Sequence, residues 1–126
     1  MMDQPSALEL VTAVREFIEK HAMPELKDRT AFHARVAANA LAIVARELEQ
    51  GAPAAEDERR RLNALLGRDG TLDGLNRELC RRIREGRIAL DDPALGAHLI
   101  AATLAKVAID QPNYSGFVHS PHRTGA

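Results

Sequence analysis

Tryptophan is absent, tyrosine occurs once and phenylalanine three times. With so few aromatics, and no run of β-branched residues, no segment has the make-up of a strand. That excludes an all-β sandwich or barrel and weighs against an α/β sheet. Cysteine occurs once, at Cys80, so no internal disulfide can form, which fits a reducing cytoplasm. Charge of one sign is also missing: 17 basic and 18 acidic residues leave a net −1, and no whole-chain field draws the protein onto nucleic acid. No window reaches about 18 consecutive apolar residues, so no bilayer span is expected. The first ten residues lack a basic stretch and an apolar core, so no signal peptide is expected either.

What remains is alanine, leucine and arginine: 22, 15 and 14 of the 126 residues. This composition points to an all-α protein, a single compact bundle of about five helices over residues 1–117. A short extended tail should follow Gln111-Pro112, with Tyr114 and Phe117 docked and residues 118–126 mobile. Ser6 to Glu9 reads as a capping box opening a first helix to about Ala22, stopped by Pro24. Leu10, Val11, Val14, Phe17, Ile18 and His21 share one of its faces. A second helix is expected from Asp28 or Thr30 to Gln50, with Gly51 as its stop and Pro53 in the first turn of a third. Gly67 to Thr71 forms a turn before a fourth helix that carries Leu72, Leu75, Leu79 and Ile83 and closes at Gly86. Asp92-Pro93 caps a fifth to about Asp110, apolar almost all round and therefore expected at the centre. Alanines at helix contacts allow close approach and favour a bundle that works through its surface.

Chemistry-bearing groups are sparse. Asp69, Thr71, Asp73 and Gly74 imitate the opening of a calcium loop. The twelfth position, which requires a bidentate glutamate, holds Cys80, so an ordinary capped turn is the better reading. Five histidines include no metal-ligand spacing, so no metal and no cofactor are expected. Cys80 lacks a nucleophile signature, and Lys106 with Asp110 reads as an ion pair. Arg77, Arg81 and Arg84 point away from the leucine stripe of the fourth helix: either a solvated face or a surface for an anionic or protein partner. A helix-turn-helix is disfavoured by the long glycine-rich connection. Arg35 and Asn39 lie on one edge of the second helix. Together with Asn76 they suggest either core hydrogen bonds or a polar pocket.

The block Phe32 to Leu48 is the most specific part of a wider pattern. It is accompanied by Pro5 to Leu26, Leu75-Asn76, Ile83-Arg84-Glu85-Gly86 and Gln111-Pro112-Asn113-Tyr114. Across about residues 5–117 the chain resembles a bacterial family of small all-helical proteins of unknown function. Members are encoded beside aminoglycoside-phosphotransferase-like kinases and acyl-CoA dehydrogenases. The resemblance implies a cytoplasmic accessory subunit or activator of such a kinase, acting on hydroxyacyl-CoA thioesters, and it carries no catalytic residues. Two other readings stay open: a module that binds acyl-CoA or a nucleotide-like ligand alone, and a structural homo-oligomer. Nucleic acid and membrane are not expected as partners.

Overall fold

The computed structural model describes residues 3–123, and every described regular element is helical. Helix α1 spans Ala7–Phe17 and continues through a π turn, Ile18–Ala22, and a 3-10 turn, Met23–Glu25. Then come α2 (Asp28–Leu66), α3 (Leu72–Arg84), α4 (Pro93–Asp110) and the single turn α5 (Ser115–Val118). The chain groups into two compact units that divide at Ala52–Pro53.

The capping signals act as their chemistry requires. The Glu9 amide donates to Ser6 Oγ at 3.2 Å and the Ser6 amide donates to the Glu9 carboxylate at 2.7 Å, completing the box. Thr71 Oγ1 accepts from the Gly74 amide, and Asp92 Oδ1 accepts from the amides of Ala94 and Leu95. Gly67 and Gly86, at φ of 66° and 68°, take the left-handed conformation that ends α2 and α3.

Two expectations fail here. The second and third helices are one helix of 39 residues with Pro53 inside it. Gly51 is no stop, because it does not adopt a left-handed φ. It instead leaves room for the Glu47 carboxylate, which a Cβ at this position would strike. Proline removes one backbone donor, and the helix carries on past it; the division between the units nevertheless falls at that residue. A short tail follows Pro112 as expected, and Ser115–Val118 forms a turn of helix within it. Of the tail expected to be mobile, residues 124–126 lie outside the described residues.

In the second unit Leu62 and Leu66 of α2, Leu75 and Leu79 of α3 and Leu95 of α4 form the buried core. Leu65, Leu72, Ile83 and Ile88 pack around it. Helix α4 is not central. Leu95, His98 and Ala102 are its buried residues, while Leu99 and Ile100 are exposed. By length and composition alone it is long and apolar enough to cross a membrane. Its Leu95 is part of the same core as the leucines of α2 and α3, although only 17% of the helix is buried.

In the first unit, α2 is packed by its small side. Ala38 is 2% exposed, and Ala31, Ala34, Leu41, Ala42 and Ala45 on the same side are half-buried. On the other side Phe32 (58%), Val36, Val44 and Leu48 are exposed and Ile43 is half-buried. Helix α1 also divides its apolar residues. Leu8, Val11 and Ile18 are half-buried, whereas Leu10, Val14 and Phe17 are exposed.

Candidate functional site

The leucine stripe of α3 carries Glu78 inward with it, to 7% exposure. A buried carboxylate needs compensating donors, and arginines three and four residues on supply them. Arg81 pairs with Glu78 Oε2, Arg82 Nε donates to Oε1 at 2.6 Å, and Arg87 Nη2 lies 3.6 Å from Oε1. Arg82 also donates through Nη1 to the Leu66 carbonyl at 3.0 Å, tying the end of α2 to the same cluster. The hydrogen bonds from Arg82 and then Arg81 hold the Glu78 carboxyl below the usual range, outweighing desolvation. Arg77 pairs with Asp73 at 2.9 Å, and Arg87 also meets Glu85. Of the three arginines expected to form an anion-facing surface, Arg77 and Arg81 each pair with an acid of α3 while remaining exposed. Arg84 is exposed, with no acidic partner among the described residues.

Asn76 is half-buried and donates to Glu58 Oε1 at 3.0 Å and to the Leu72 carbonyl at 3.2 Å. Arg35 and Asn39 are exposed and belong to the first unit, Asn76 to the second. Asp69 braces its turn, accepting at Oδ1 from Arg59, Asn63 and the Gly70 amide. The Gly70 and Asn63 bonds lead in lowering its carboxyl. Among the described residues, no group of three or more His, Cys, Asp or Glu side chains could hold a metal ion.

The feature that the sequence did not single out is a groove in the second unit. Arg61, Ala64 and Leu65 of α2 face Ala94, Ala97, His98 and Ala101 of α4 around a volume of about 510 Å³. The alanines at 94, 97 and 101 follow helical spacing and keep this side of α4 low, which is what opens the groove. His98 is 4% exposed, and its Nδ1, like Nε of Arg61, is enclosed without a hydrogen-bond partner. Burial depresses the imidazole first. The charges of Arg61 and Lys106 act in the same direction, and Glu58 opposes them. Arg61 also lines a second hollow of about 340 Å³ with Asp57, Arg60 and Ala64. Chemically, the groove offers small apolar walls for an aliphatic or flat body, with a guanidinium beside them for an anionic group.

Comparison with known proteins places residues 24–114 within a family model described as Domain of unknown function (DUF6285). The chain belongs to that family. Neither a curated protein nor a solved structure matches it. The DUF6285 span opens at Pro24 and closes at Tyr114, so it includes α2, α3 and α4. The groove and the Glu78 cluster are therefore parts of the DUF6285 domain, whereas the exposed Leu10, Val14 and Phe17 of α1 precede it.

Proposed function

We propose that the chain is a cytoplasmic accessory subunit that docks on, and activates, a kinase of the aminoglycoside-phosphotransferase type acting on hydroxyacyl-CoA thioesters. The observation that supports it is the outer stripe of α1. Leu10, Val14 and Phe17 recur at helical spacing and are all exposed, an arrangement suited to burial against another protein. The identity of the partner rests on the family resemblance, which is an association and not a chemical signature. Arg84 is the arginine of α3 best placed for an acidic patch on that partner, because Arg77 and Arg81 already have acids of their own.

Co-expression with the neighbouring kinase should yield a complex that survives purification and turns over faster than the kinase alone. Val14→Glu with Phe17→Glu should abolish that complex while helicity by circular dichroism is kept, and Arg84→Glu should weaken it. A folded wild-type chain that neither binds nor activates the kinase refutes the reading.

A second reading is favoured by the groove. An acyl chain laid against Ala64, Ala94, Ala97 and Ala101, with its anionic end at Arg61, would make the chain a ligand-binding module without a kinase. Isothermal titration with CoA and acyl-CoA separates the two readings, since heat from the isolated chain supports only this one.

A further inference from the structure

The exposed side of α2 in the first unit has a symmetry of its own. With about 100° between successive residues, Phe32, Val36, Ala40, Val44 and Leu48 fall on one half of the helix. Ala31, Ala38 and Ala45 fall on the other, packed half. Arg29 and Glu47 lie within about 20° of the middle of the exposed half, one at each end of the apolar run. Both are exposed. Along the helix they are about 27 Å apart, far beyond the reach of an ion pair with each other.

We propose that this face is the interface of an antiparallel, two-fold dimer of the chain, with the symmetry axis level with position 38. That register sets Arg29 against the second copy's Glu47 and, by symmetry, Glu47 against its Arg29. Phe32 then meets the second copy's Val44, and Val36 meets its Ala40, whose small side chain lets the helices approach near the axis. Parallel pairing would place Arg29 against Arg29 and Glu47 against Glu47, so charge selects the antiparallel arrangement. The occupant follows from self-complementarity: the positive end, the apolar middle and the negative end of this face match the same face turned end for end. The inference requires only this chain and stands or falls apart from the kinase.

Analytical ultracentrifugation of the full chain, across a wide concentration range at low salt, provides the test. The wild type should sediment at twice its chain mass. Arg29→Glu alone and Glu47→Arg alone should each weaken self-association by about tenfold, because two attractions become two repulsions. Mixed together, these two variants should pair with each other as well as the wild type pairs with itself, since every contact then joins opposite charges. The double variant should also recover. Val36→Glu should give single chains with unchanged helicity. A wild type of single-chain mass throughout assigns the face to a different protein and overturns the proposal. A dimer in which the mixed variants fail to recover overturns the antiparallel register.

Discussion

Leu75→Ala against Leu90→Ala compares one chemical change at opposite extremes of burial. Leu75 is 1% exposed in the core formed with α2 and α4, and Leu90 is 83% exposed between α3 and α4. Truncating Leu75 removes three carbons from water-free surroundings, about 2.5 kcal/mol by transfer alone. The cavity left among Leu62, Leu79 and Leu95 brings the loss to about 3–4 kcal/mol. A chain of this size holds roughly 6–15 kcal/mol in all, so the change takes a large share. Leu90→Ala should stay within about 0.5 kcal/mol. Urea unfolding followed by circular dichroism measures both. Hydrogen exchange then locates the loss: peptides from residues 59–66, 72–84 and 93–102 should lose protection in Leu75→Ala. Peptides from residues 7–25, in the other unit, should keep theirs. Two variants that differ by less than about 1 kcal/mol, or equal deprotection of α1, would refute the placement of the core.

Glu78→Gln leaves Arg81, Arg82 and Arg87 converging on a neutral amide, so it should lower the melting temperature more than Arg77→Gln at its exposed pair with Asp73. The Glu78 carboxyl lies below its ordinary 4.5 in the fold, so its contribution is present above that value and lost as pH falls through the carboxylate range. Melting curves at a series of pH values should therefore show a shallower acid loss in the Gln variant. His98 has the opposite charge type but the same sign of effect. Its imidazole sits below the ordinary 6.5, so between that value and its folded-state value the unfolded chain binds the proton that the native chain refuses. Stability should fall as pH drops through this window, and His98→Leu should flatten the curve there; an unchanged slope would count against an enclosed, neutral His98.

Much of the fold was legible because caps are local chemistry. Ser6 and Asp92 each need only neighbours within three residues, and both bind as the spacing implied; Thr71, not singled out as a cap, binds the Gly74 amide in the same local way. The break expected at Gly51-Pro53 shows where local rules lose force. Glycine ends a helix by turning left-handed and proline by withholding a donor. At these two residues the first does not happen and the second is tolerated inside a 39-residue helix. The fifth predicted helix misled for a different reason. Its alanines and leucines read alike on a hydropathy scale, yet alanine leaves a groove where leucine would fill one. The arginine face was half legible: Glu78 stands three and four residues before Arg81 and Arg82, a spacing that announces pairing, whereas the bond from Arg82 to the Leu66 carbonyl and the approach of Arg87 to Glu78 join residues outside that spacing. Arg61 and His98 lie 37 positions apart, and no periodicity links them; their meeting is a product of tertiary packing.

The inverted packing of the first-unit part of α2, with Ala38 inward and Phe32, Val36, Val44 and Leu48 outward, reaches beyond geometry. A helical segment that buries Ala38 and leaves Phe32 in water gains little of its available hydrophobic free energy within one chain, unlike the end of the same helix, where Leu62 and Leu66 are buried. On the dimer proposal the remainder comes only on assembly, so folding and abundance are linked by mass action. Dilute chains would melt earlier, unfold more often and meet proteases more often than concentrated ones. Copy number would then set the lifetime of the protein, and chains left single at low abundance would be the first to be cleared.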